Sequence, residues 1–194
     1  MYSMVIIPIG DTCNITFLLQ NAKIKKQTTL FEWFVSKKLN YITDILNKLA
    51  NHENPNLTIY GNYLFLDSIY SDHYTLSNFN EIYKRRRDRL IETIVNNNDL
   101  LFIRFESNHN ECVNEIDEFI NAVKRINPNA NTKLFMIAPK KIEHPLVHTE
   151  LYNAHSQDPY CKTNEINELF INGLLNMGYS MDTTDLSFND YSII

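Results

Sequence analysis

Apolar residues fall along this chain in two kinds of block. Met4 to Ile9, Leu100 to Glu106 and Lys133 to Pro139 are short runs with little polar interruption. Runs of that length read as strands buried on both faces. Pro8 has no N–H to give to a ladder, which makes the first strand the weakest of the three. Elsewhere the apolar positions recur every three or four residues. Phe31, Phe34, Val35, Leu39, Ile42, Ile45, Leu46 and Leu49 predict one helix over residues 30–49. Phe79, Tyr83, Leu90 and Ile94 predict another over 78–96, capped by Asn78 or Asn80. Val113, Ile116, Ile120 and Val123 predict a helix over 110–126. Thr163 to Met177 reads as the last, closed by Gly178. A short helix capped by Asp11 or Thr12 follows Gly10 and runs to about Leu19 or Gln20.

Leu57–Tyr60 and Tyr63–Leu66 flank Gly61-Asn62, the signature of a type II′ hairpin. Residues 51–56 read as a polar linker, 127–131 as a turn and 67–77 as a loop that carries His73. Leu146 to Leu151 is a further short strand. Strands alternating with helices imply an α/β fold of three layers. Its sheet is twisted and mainly parallel, with right-handed crossovers, helices on both faces and one β-hairpin. The 194 residues suit a single domain over 1–194, and no repeat is present.

Charge and cysteine usage narrow the function. A net charge of −5 disfavours a general nucleic-acid binder, whose binding face is basic. The one basic cluster is Lys84-Arg85-Arg86-Arg87-Asp88-Arg89. Arg86 falls along the buried stripe of its helix while Arg85 and Arg89 face outward. An inward Arg86 or Arg87 can take a carboxylate or phosphate, or pair with Glu106. Cys13, Cys112 and Cys161 are too few and too scattered for a disulfide framework, so a reducing, cytoplasmic setting is the simpler expectation. The opening MYSMVIIPIGD lacks the basic stretch and the length of a signal peptide or membrane span. No C-x-x-C pair suggests zinc, Pro145 interrupts the spacing of His144, His148 and His155, and no metal or cofactor is expected.

Cys13 is the centre of the candidate chemistry. It follows Gly10 by three residues, where a strand gives way to a helix. Free N–H groups and the positive end of a helix dipole favour a thiolate there, and the amides of residues 12–14 can hold an oxyanion. His73, flanked by Asp72 and Tyr74, is the candidate proton carrier. Glu106 or Asp72 is the candidate third member. Asp11, Asn14, Trp33, Arg86 and Arg104 are candidates for holding substrate. Arg104, inside an apolar strand, needs a partner whatever its role. The bland readings are a buried structural cysteine, a solvated loop histidine, and core packing for Trp33 with Phe31 and Phe34.

Ile6-Ile7-Pro8-Ile9-Gly10-Asp11-Thr12-Cys13-Asn14, Leu18-Leu19, Phe31-Glu32-Trp33, His73, Tyr83 to Arg89, and Phe102-Ile103-Arg104-Phe105-Glu106 occur in that order. The series resembles a motif-defined family of papain-like cysteine peptidases, found in bacteria, often beside surface-polysaccharide genes, and in large DNA viruses. The resemblance covers roughly residues 4–140. It implies Cys13 as nucleophile and His73 as base, acting on a peptide or a small acyl or amide substrate. A parallel α/β pattern differs from a true papain fold. Two other readings remain open: a non-catalytic interaction protein on the same scaffold, or a lipase-like esterase using Asp11 after Gly10. The latter's usual late Asp-x-x-His motif is missing.

Overall fold

The computed structural model describes residues 4–10, 14–24, 27–73, 76–106, 113–152 and 164–179. Asp11, Thr12, Cys13, Cys112, His155 and Cys161 lie outside the described residues.

The three apolar runs form the centre of a four-stranded sheet. Strands β1 (Val5–Pro8), β5 (Asp99–Phe105), β6 (Asn131–Ala138) and β7 (Val147–Leu151) lie in the order β1-β5-β6-β7, every neighbouring pair parallel. Both central strands are buried on both sides because side chains alternate between faces. Leu100, Phe102, Leu134 and Met136 face one core, with Ile7 and Ile9. Leu101, Ile103, Phe105, Phe135 and Ile137 face the other. The first core is covered by α2 (Leu39–Ala50), α3 (Leu76–Asn96) and α4 (Val113–Ile126). The second is covered by α1 (Asn14–Asn21) and α5 (Asn164–Asn176). This is the expected three-layer arrangement.

Pro8 sits on the edge strand. Ile9 donates to Ile103 O at 2.8 Å, so alternate residues of β1 turn toward β5 and Pro8 turns its missing donor outward. The gap in the ladder is therefore harmless.

Three expectations need correction. The helix expected over 30–49 begins only at Leu39, with Lys38 extended at φ −143° and ψ 145°. Phe31 and Phe34 are buried as expected, but from a turn. The hairpin β2 (Leu57–Tyr60) and β3 (Tyr63–Leu66) has Gly61 at φ +60°, and it gains a third strand, β4 (Ile69–Ser71), within the stretch expected to be a loop. Leu64, Leu66 and Ile69 of this small sheet join the first core. Asn78 and Asn80 lie inside α3, which begins at Leu76, so neither caps it. Gly178 does close α5. At φ +79° it donates to Leu175 O at 2.9 Å while Tyr179 donates to Leu174 O at 2.9 Å, a Schellman pair.

The β6–β7 crossover, residues 139–146, carries no helix. His144 staples it. Its Nδ1 accepts from the Leu146 N–H at 3.1 Å, and its Nε2 lies 3.2 Å from Asp117 on α4. Its side chain is only 5% exposed.

Helix α5 lies so close to the sheet that Gly173 has no room for a side chain. A Cβ there would run into the Phe135 ring, with Cε2 at 2.6 Å, and would meet Glu150 Cγ at 2.9 Å. Phe135 is fully buried and stacked on Phe170 at 5.9 Å, so it cannot yield. Gly173→Ala is expected to destabilise the fold by roughly 1–3 kcal/mol through overpacking. This holds although alanine gains about 0.5–1 kcal/mol over glycine within a helix. A urea midpoint equal to or above that of the wild type, at unchanged slope, would contradict this packing.

Candidate active site

Strands β1 and β5 end side by side, and the arginine of a buried ion pair at the end of β5 reaches the chain leaving β1. On β5, positions 100, 102 and 104 share one face, and Glu106 continues that parity beyond the strand. Arg104, with no exposed surface, donates its Nε–H to Glu106 Oε2 at 2.9 Å, and its Nη2 lies 2.9 Å from the same oxygen. Nη1 donates to Ile9 O at 3.1 Å and to Ser36 Oγ at 3.0 Å. Nη2 donates to Ser36 O at 3.0 Å. Ser36 Oγ passes its own hydrogen to Gly10 O at 3.0 Å. The guanidinium therefore clamps the last residues before the Cys13 segment to the stretch between Leu30 and Lys38. A cation buried this deeply is tolerable only with such complete hydrogen bonding.

The clamped stretch carries Trp33. Glu32 Oε1 accepts the Thr29 N–H at 2.7 Å, and Phe34 N–H closes a turn on Phe31 O at 3.3 Å. Trp33 occupies the third position of that turn at φ +69°, a region that suits glycine. For an L residue this conformation costs roughly 1–2 kcal/mol. Buried Phe31 and Phe34 hold the turn from below. Next, Val35 pairs with Tyr70 of β4, N–H to O at 2.6 Å and back at 3.1 Å. The indole is left half-buried and turned away from the core.

The same bridge brings His73 in. Two residues beyond β4, its backbone N–H donates to Ser71 Oγ at 3.2 Å. Its ring meets Trp33 edge to face, with centroids 5.1 Å apart and planes at 71°. Trp33 also meets Phe17 of α1, at 5.5 Å and 90°. One indole thus touches both His73 and Phe17 of the helix whose first residue is Asn14. Asp72 Oδ1 lies 3.5 Å from His73 Nε2, and the two side chains are 62% and 45% exposed.

The other candidates are more scattered. Asn14 opens α1. Glu106 is buried against Arg104, so the carboxylate beside His73 is Asp72. The expected pairing of Arg86 or Arg87 with Glu106 is replaced by Arg104 with Glu106. Arg86 is half-buried about 15 Å along α3 from its start. Its neighbour Arg87 binds Asp88 at 2.7 Å and Asn54 at 2.6 Å, and lies 5.8 Å over the Tyr83 ring. The Asp88 hydrogen bond raises the Arg87 pKa, and burial raises that of the Tyr83 phenol. This set ties α3 to the linker before β2. Sequence reasoning misses two residues. Ser36 is hidden inside the helix expected over 30–49, and Phe17 reads there only as one more residue of the first helix.

Fold and site together define a parallel α/β protein with a histidine ring against a tryptophan that also touches its first helix. Among the described residues no group of three or more His, Cys, Asp and Glu side chains is placed to hold a metal ion, and no helix is long and apolar enough to cross a membrane. No family model, curated protein or solved structure matches this chain.

Proposed function

We propose that this protein is a cysteine-dependent hydrolase or acyltransferase, with Cys13 as nucleophile and His73 as proton carrier. What supports the reading is the chain of ring contacts from His73 through Trp33 to Phe17. An imidazole from a distant part of the sequence touches Trp33, which touches Phe17 of the helix that follows Cys13 in sequence. The Arg104 clamp holds the carbonyls of Ile9 and Gly10, which enter the thiol's segment. The thiolate attacks a carbonyl carbon, forming a C–S bond, and the leaving amine or alkoxide takes a proton from His73. Water or another acceptor then attacks the thioester. His73 takes its proton, the C–S bond breaks and the thiolate returns. The substrate class is a peptide or a small amide or ester. A reducing, cytoplasmic compartment keeps the thiol free.

Iodoacetamide labelling with peptide mapping tests the reading. Cys13 is expected to react at least about tenfold faster than Cys112 and Cys161, because a lowered pKa raises the thiolate fraction at neutral pH. His73→Ala should shrink that advantage. Equal labelling of the three cysteines would return the protein to the interaction class.

A further inference from the structure

Four of the eight large apolar side chains exposed among the described residues lie on one hairpin: Leu57, Ile59 and Tyr60 of β2, and Tyr63 of β3. Strand β2 is the outer strand of its sheet, and all its residues are exposed. The ladder fixes which backbone groups are free. Asp67 donates to Asn56 O at 2.8 Å, and antiparallel residues face their partner strand alternately, so Thr58 and Tyr60 also turn toward β3. Leu57 and Ile59 turn their N–H and C=O to the open edge. Such an edge pairs with another strand unless charge, proline, a bulge or a cover blunts it. The other edges are blunted. β1 turns Pro8 outward, β7 carries His148 and Glu150, and β4 is bridged to Val35 through Tyr70. Leu57-Thr58-Ile59-Tyr60 has neither charge nor proline, and its register with β3 runs without a bulge.

We infer that the open edge of β2 is a self-association surface, on which a second copy of this chain lays its own β2 antiparallel. The strand's symmetry selects that occupant. A two-fold axis at Thr58 sets Leu57 opposite the partner's Ile59 and Ile59 opposite the partner's Leu57, each pair exchanging N–H···O bonds. An axis at Leu57 would set Ile59 against the partner's Pro55, which has no N–H. An axis at Ile59 would set Leu57 against the partner's Gly61, in the turn. Residues 54–62 carry no charge, so the pairing opposes no like charges. Leu57 and Ile59 share the face of their ladder partners Leu66 and Leu64, and in the dimer they form one apolar row with the same residues of the second copy. The two three-stranded sheets become one of six strands. An edge of four residues is small against a standard protein interface, so the dimer dissociates readily.

Sedimentation equilibrium of the full chain from about 1 µM to about 1 mM tests the pairing, since weak dimers dissociate in that span. The average mass is expected to rise from 22.8 kDa toward twice that value. Ile59→Lys should raise Kd at least about tenfold, the loss expected of one central apolar contact. Ile59→Pro should do the same, because it deletes an outward N–H and leaves the β2–β3 ladder whole. Circular dichroism checks that both variants fold. Under mild oxidation Thr58→Cys should join two copies through position 58, since a non-hydrogen-bonded pair sets its Cα atoms about 4.5 Å apart, within disulfide reach. Ser68→Cys, exposed between β3 and β4, should not bridge at its own position. Peptide mapping separates these bridges from any through Cys13, Cys112 or Cys161. If neither variant at position 59 folds, the cysteine pair decides alone. A mass that stays at 22.8 kDa throughout, an unchanged Kd in folded Ile59→Lys, or bridging at position 68 as fast as at 58 overturns the inference.

Discussion

Arg104→Met is expected to destabilise the protein by roughly 3–5 kcal/mol, because it strands a buried carboxylate without its cation. Glu106 is 2% exposed and bound by Arg104 through Nε. Ile9 O and Ser36 O also lose donors in the variant. The loss is a large share of a typical total stability of about 5–15 kcal/mol. In a domain of this size it lowers the melting temperature by about 2–4 °C per kcal/mol. The double variant Arg104→Met/Glu106→Leu should recover part of the loss, since removing both members leaves no uncompensated charge. Recovery stays incomplete because the carbonyls of residues 9 and 36 still lack the arginine's donors. A single variant within about 1 kcal/mol of wild type, roughly the worth of one ordinary hydrogen bond, would falsify the clamp.

The same residue shows what was legible in the sequence. An arginine within Phe102-Ile103-Arg104-Phe105 needed a partner, but the sequence reading gave Glu106 to Arg86, Arg87 or His73, although the two-residue period of a strand puts it on the side of Arg104. Ser36 was not legible, because its approach depends on a turn rather than on a periodic element. Phe31, Phe34 and Val35 imitate helical spacing with Leu39 and Ile42, yet their burial comes from a left-handed residue at position 33. Nothing about tryptophan forecasts that conformation. The central strands and α4 were clear because burial on two faces and amphipathic spacing leave few alternatives. Strand β4 is illegible because three residues are too few to show a period. For His73 the sequence supplied the residue type. Its neighbour Trp33 comes from the Val35–Tyr70 bridge, a pairing across distant segments that no local pattern encodes.

His73→Ala is expected to lower kcat by about a hundredfold to ten-thousandfold, the range that a positioned general acid–base contributes. Stability should change little, because the side chain is 45% exposed and its backbone N–H keeps Ser71 Oγ. Asp72→Asn should lower kcat far less. A carboxylate 62% exposed and 3.5 Å away is screened by water and orients the ring weakly. The two variants therefore separate proton transfer from orientation. Trp33 supplies an independent check of the ring's placement, since an imidazole in edge-to-face contact at 5.1 Å perturbs the indole's emission. His73→Ala should therefore shift the emission of Trp33. If the emission of His73→Ala matches that of the wild type, the imidazole does not touch the indole. If kcat stays within about threefold of wild type, His73 carries no proton in the reaction, because any acid–base role is worth far more than that.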